Sequence, residues 1–410
     1  MREPVRSRAL VPPLVFVVTV AALVASLGVP LIPTIAHEYG VSPTAAQWAL
    51  TVTLLVAAVT TPGLGRLGDG PWRKKAVVGV LLVVLAGCVL AALPLGFPTL
   101  LAGRALQGLA MGLSALAVVT ALDHVPVHRA RSAVAMLSIT TTAGVGFGFP
   151  VTGLLTDLFG LSAGFWLGAA LCAVAALLTI WILPAPPEGP AQRFDVLGAL
   201  LLGAGLAGVL VLLSQGPQWG VASWQLPALA AGSLIALVVW VRQELRTAVP
   251  LVDVRLLRHR PVLTAAVTGI LTGIGMYLLF SIVIRLVQTP TAAGYGFGAS
   301  VVVAGLTLLP FSLASVGGSR CAALIGRRIG PRAVLPLGAV TALAGASLFT
   351  VAHDSLWPVF AAMGLTGLGV GCTFAALPGL ILAAVPPRRA EAPWGSTRFC
   401  GWRGSRWEAY

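Results

Sequence analysis

Arg104 and Gln107 are the residues whose types and spacing most invite a chemical reading, because a cation and an amide three positions apart share one face of a helix. They stand inside an otherwise apolar run, with Gly108 beside them, and Arg104 lies roughly two turns below the nearer end of that run at about 1.5 Å per residue. A charge at that depth is costly. Two readings stay open: an arginine working with Gln107 on a buried path, or one that snorkels outward to the headgroups. The stretch Gly65–Lys75 is the second candidate, since it sets glycine, one carboxylate and four cations between two long apolar runs. Gly65, Gly68 and Gly70 let backbones approach closely, and Asp69 is placed to accept from Arg73 or from a helix N-terminus. Lys74 and Lys75 hold such a turn at a membrane surface. A third feature is the small-residue face Gly144, Gly146, Gly148 and Gly153, with Pro150 denying a hydrogen bond to the carbonyl of Gly146. This reads either as a helix that bends between two states or as tight packing without any switch.

No other constellation carries chemistry. The twelve acidic residues fall in loops, tails or at the ends of apolar runs, and Asp157 is the acid nearest to a run's interior. The five histidines lie near water-facing ends. Ser/His/Asp sets and phosphate loops are not identifiable, and Cys88, Cys172, Cys321, Cys372 and Cys400 show neither CxxC nor metal spacing. Catalytic residues, cofactors and metals are therefore not expected, and neither is enzyme activity.

The elements that must position these residues follow from composition. Of 410 residues 58% are hydrophobic and 9% charged, with mean hydropathy +0.96, which places the chain in a lipid bilayer. A net charge of +14 points to nucleic acid only in a soluble protein; here the cations sit in short segments between apolar runs, and nucleic acid is not an expected partner. Apolar runs fall at about 10–35, 44–65, 76–96, 98–122, 132–156, 161–183, 196–214, 224–242, 261–286, 298–319, 333–352 and 355–385. The first starts like a secretory signal but is too long for one. Each run is about twice the length of a barrel strand and lacks alternation, so twelve membrane helices are expected. With the N-terminus inside, 24 of 26 Lys plus Arg fall on the inner side or in the termini, all but Arg104 and Arg285. Both termini are thus expected in the cytoplasm, in a multi-pass plasma-membrane protein, with Trp219 and Trp224 at the outer interface.

The loop residues Gly65, Leu67, Gly68, Asp69, Arg73 and Lys74 resemble the signature loop of the major facilitator superfamily, with Gly70 and Trp72 departing from it. Arg104, Gln107 and Gly108 resemble the superfamily's fourth-helix motif, which that likeness implicates in proton transfer. Gly144, Gly148, Pro150 and Gly153 loosely resemble its antiporter motif, with Phe149 and Leu154 at two glycine positions. Gln47-Trp48, the loop Gln215–Gly220 and the segment Pro250–Arg260 are similar to the fourteen-helix drug:proton antiporters, a likeness covering roughly residues 10–390.

The likeness implies an all-α integral membrane protein of that superfold. A second copy of the opening loop, Gly326–Arg332 with Arg328, Gly330 and Arg332, stands eight spans after the first instead of six. Spans 7 and 8 thus read as an inserted hairpin. The expected parts are a six-helix lobe at 1–183, connector and hairpin at 184–260, a four-helix lobe at 261–390 lacking two helices, and an irregular tail at 391–410. The tail, with three tryptophans and three arginines, reads as an interfacial segment or as a shifted frame or truncated gene. The expected function is proton-coupled efflux of amphipathic compounds by alternating access, since few fixed charges suit a lipophilic, often cationic substrate. Trp48, Arg104, Gln107 and Met111 are the expected cavity residues, although core packing explains Trp48 and Met111 equally well. Alternatives are an inactive membrane remnant and an uptake permease for a small organic solute.

Overall fold

The computed structural model describes residues 3–28, 30–68, 71–124, 127–183, 195–219, 224–247, 250, 252 and 254–384, and every regular element among them is helical. Asp69, the connector 184–194, Gly220 and the tail 391–410 lie outside the described residues. The α-helices are α1 (Glu3–Ser26), α2 (Ile32–Glu38), α3 (Pro43–Gly68), α4 (Arg73–Ala92), α5 (Phe97–Gln107), α6 (Ala110–His124) and α7 (Val127–Phe159). They continue as α8 (Ser162–Ile182), α9 (Val196–Trp219), α10 (Gln225–Arg246), α11 (Arg260–Gln288), α12 (Val301–Arg328), α13 (Val334–Val351) and α14 (Leu356–Ala384). Among the described residues, ten stretches are long and apolar enough to cross a bilayer, and two shorter apolar stretches, Val11–Ser26 and Gly144–Phe159, lie in α1 and α7.

Local chemistry sets the helix boundaries. Ser42 and Ser300 accept from the amides of Ala45 (3.1 Å) and Val303 (3.4 Å), and Asp195 accepts from the amide of Gly198 at 2.8 Å, each satisfying an orphan N–H. Pro94, Pro184 and Pro290 follow Leu93, Leu183 and Thr289, whose extended backbone ends α4, α8 and α11. The fourth apolar run differs from its expected single helix. Its turns tighten at Gly108, where the amides of Gly108, Leu109, Met111 and Gly112 bond three residues back, so α5 and α6 divide there. Pro150 does not interrupt α7, which stays helical from Val127 to Phe159.

Packing divides the helices into two groups. In the first, α1 lies against α6, α7 and α8, α3 against α5 and α6, and α4 against α5 and α8. Their buried core includes Val24, Leu81, Val84, Leu113, Leu116 and Cys172. In the second, α14 packs against α11, α12 and α13 around Leu308, Phe311, Val359 and Met363. The pair α9 and α10 packs on itself, with α9 also against α3.

Glycines set how close the helices come. A Cβ added at Gly103 would sit 2.5 Å from the carbonyl of Gly87, and one at Gly87 would sit 2.7 Å from the carbonyl of Gly103, so α4 and α5 touch by backbone. The two groups meet in the same way along α7 and α12. A Cβ at Gly153 would lie 2.7 Å from the carbonyl of Val301, and one at Gly305 would lie 2.6 Å from that of Phe149. Phe149 fills the rest of the seam, edge-on to Phe280 at 6.1 Å between ring centroids. Gly305→Val should therefore force α7 and α12 apart, costing about 1–3 kcal/mol as overpacking. The check is the melting temperature of purified protein in detergent. A clear fall is expected for Gly305→Val and none for Gly232→Ala, whose added Cβ meets nothing within 4 Å.

Candidate functional site

Arg104 is wholly buried, at 0% exposure, and its guanidinium is held by protein rather than by headgroups. Its Nε donates to the carbonyl of Ala49 on α3 at 3.1 Å, and its Nη1 donates to Gln107 Oε1 at 2.5 Å. Gln107 in turn donates from Nε2 to the carbonyl of Gly87 on α4 at 3.2 Å. The hydroxyl of Thr53 lies 2.9 Å from the carbonyls of both Ala49 and Arg104 and can donate to either. An arginine at the centre of a span costs about 3 kcal/mol on insertion scales; these acceptors offset part of that. Nη2 has no hydrogen-bond partner among the described residues. It lies against Gly28, and any side chain at that position would displace it. The cluster thus ties α3, α4 and α5 together through one cation, against the backbone at Gly28 just beyond α1 and without a described carboxylate beside it.

Gly108 completes the cluster through its backbone. A Cβ there would approach the carbonyl of Thr53 to 2.5 Å, so α3 crosses directly over the break between α5 and α6. Met111 lies beyond the break and is 38% exposed, whereas Gln107 is buried at 1%. Trp48 is half-buried on α3. Of the four residues expected at a cavity, Arg104 and Gln107 are internal to the first helix group, and Trp48 and Met111 are partly open.

The loop after α3 is organised by its cations. Arg73 donates from Nε to the carbonyl of Gly68, the last residue of α3. Lys74 reaches the carbonyl of Ile180 at 2.8 Å, capping the C-terminal turn of α8 where the helix dipole favours a positive charge. Lys75 stands 4.5 Å over the Trp72 ring. Leu67 and Gly65 are half-buried, and Gly68 is buried against Leu116 and Val119 of α6. In the second-copy loop Arg328 and Arg332 are exposed. Gly330 has φ 110, a backbone only glycine adopts readily, and its amide bonds to the carbonyl of Ile325 at 3.2 Å to close the end of α12.

The glycines of α7 serve two neighbours. Gly144 and Gly148 face Ala22 and Ser26 of α1, whereas Gly146 and Gly153 face Ser312 and Val301 of α12. The spacing of small residues told that helices pack there, not that both faces are used.

Two sets of residues escaped the sequence reading. Tyr277 of α11 accepts from Gln47 Nε2 of α3. The spacing of Gln47 with Thr51 and of Tyr277 with Ser281, four residues each, is the signal that could have found them. Glu244, near the end of α10, is buried at 1%, and its Oε2 accepts from the amide of Val252 at 3.4 Å.

The sequence profile of the Major Facilitator Superfamily matches residues 14–405. The chain belongs to that superfamily. An uncharacterised MFS-type transporter of Mycobacterium tuberculosis is 29% identical over 90% of this chain and 53% of its own. The multidrug resistance protein Stp of the same organism is 27% identical over 92% of this chain and 69% of its own. A uridine/deoxyuridine transporter of Lactococcus lactis is 27% identical over 83% of this chain and 72% of its own. The chain thus spans about half the length of the first of these relatives. Among solved structures, a peptide transporter POT in complex with sulfate matches with TM-score 0.62 at 15% identity, covering 94% of this chain and 91% of that one, a likeness of fold.

Arg104→Lys should lose the cluster, because an ammonium lacks the planar fork that reaches Ala49 and Gln107 together. Both the melting temperature and any transport activity should fall at equal membrane abundance. Unchanged values for Arg104→Lys would mean that charge alone suffices there.

Proposed function

We propose that this chain acts as a secondary transporter that exports amphipathic, often cationic compounds by alternating access, with protons entering in exchange. The observation that carries the reading is the join between the two helix groups. They meet at the glycine seam of α7 and α12. Between α3 and α11, by contrast, only side chains reach across, and that arrangement supports a cleft between the groups. The multidrug resistance protein among its relatives supports a lipophilic substrate. So does a chain with few charged residues. The buried Arg104 and Gln107 pair supports a role in coupling to protons, since a partner-poor cation responds to the charge state of its surroundings. The loop Gly65–Lys75, with Lys74 capping α8, supports a clasp on the cytoplasmic side. Cations concentrated at the Trp72 end of the helices support cytoplasmic termini and a plasma-membrane location.

A second reading is uptake of a nucleoside, favoured by the uridine transporter among the relatives. A susceptibility panel in cells with and without the chain, run beside uptake of labelled uridine, separates the two. Resistance to at least one lipophilic cation is expected, with uridine accumulation unchanged. Raised uridine uptake with no change in susceptibility would establish the uptake reading instead, and no effect in either arm would favour a chain without transport of its own.

Orientation has its own test. In a chain without native cysteines, a cysteine at Leu95, which is 66% exposed between α4 and α5, should react with an impermeant thiol reagent added to intact cells. One at Trp72, 49% exposed on the opposite side, should not; the reverse pattern would invert the topology.

A further inference from the structure

Two side-chain hydrogen bonds join the helix groups among the described residues, and both lie toward the same end of the helices. Gln47, in the second turn of α3, donates from Nε2 to the hydroxyl of Tyr277 on α11. Gln288, the last residue of α11, donates from Nε2 to the carbonyl of Pro30, just before α2, at 3.1 Å. Tyr277 and Gln288 are eleven residues apart, about 16 Å along the helix. The two bonds therefore pin one flank of α11 against the first helix group over the half of the membrane nearer Gly96.

The surroundings of Tyr277 are polar on both sides and neutral throughout. Gln47 and Thr51 share a face of α3, and Tyr277 and Ser281 share a face of α11. Thr51 donates to the carbonyl of Gln47 at 3.2 Å. The backbones of α3 and α11 do not pack extensively, in contrast with the glycine seam of α7 and α12. A seam made of backbone opens only by repacking two helices. A bridge made of side chains opens by breaking one or two hydrogen bonds, each worth about 1 kcal/mol net.

We propose that the Gln47–Tyr277 bridge is a releasable bar that holds the two helix groups together at the Gly96 end, with Tyr277 as its positioning residue. The α7 and α12 seam serves as the fixed side about which the groups separate. The proposal rests on the two-group reading given under Proposed function but is independent of what is carried, and of whether the chain alone carries it.

Distance measurement between spin labels tests it on the full chain in lipid nanodiscs. In a background without native cysteines, labels go at Leu95 and Tyr295, exposed at 66% and 65% in the α4–α5 and α11–α12 connections at the Gly96 end. The parent should give mainly the short distance. Tyr277→Phe removes only the hydroxyl and should raise the longer-distance population about 3- to 10-fold, the factor expected for losing one such bond. Gln47→Ala should do the same, and the double variant should not exceed either single change by much, since both remove one bond. Gly232→Ala, away from the bridge, sets the baseline. Distance distributions in Tyr277→Phe and Gln47→Ala that match the parent, in protein of unchanged melting temperature, would overturn the proposal. If Tyr277→Phe lowers the melting temperature, the Gln47→Ala distribution decides. Loss of drug resistance in cells without a shift in distance would leave the transport reading standing and sink the bar; a shift without any transport would do the opposite.

Discussion

Close contact of α7 with helices on both of its sides is the constraint on which the rest of the structure depends. In lipid no hydrophobic force drives helices together, so association rests on surfaces that fit closely and on the few polar groups that find partners. Gly144 and Gly148 admit α1, and Gly146 and Gly153 admit α12. Because those positions alternate around one helix, α7 belongs to the first group and is also the wall of the second. A larger residue at any of these four glycines would disturb one neighbour or the other, and this explains why small residues recur over only ten positions.

Polar chemistry is then confined to where it can be paid for by fixed partners. Arg104 sits at the meeting of α3, α4 and α5, where Ala49, Gln107 and the absence of a side chain at Gly28 make room for it. Its role in holding three helices needs no proton; an Nη2 without a partner among the described residues is what singles it out from a purely structural arginine. Tyr277 is the counterpart between the groups. One cluster is internal to the first group and the other lies between the groups, so a motion that separates the groups would break only the second.

Much of this was legible in the residues themselves. Run length and the placement of cations gave the helices, and the Arg104 and Gln107 spacing named a pair that is in contact. The break at Gly108 was not legible; it lies where α3 passes closest to that glycine, a contact with a neighbour 50 or so residues away that local sequence does not display. Lys74 read as a surface anchor, yet its ammonium caps α8 at Ile180, 106 residues later. Tyr277 was missed for the same reason: a lone tyrosine in an apolar run becomes informative only when Gln47 is seen opposite it.

Transport by purified protein tests the central claim most directly. With the chain reconstituted in proteoliposomes, an imposed pH gradient should drive movement of a fluorescent lipophilic cation against its own gradient, and collapsing the pH difference with an ionophore should stop it. Arg104→Leu should abolish the gradient-driven component while leaving passive leak unchanged. Movement that is indifferent to the pH gradient and to Arg104, at equal protein content, would contradict a proton-driven exchange through this helix bundle.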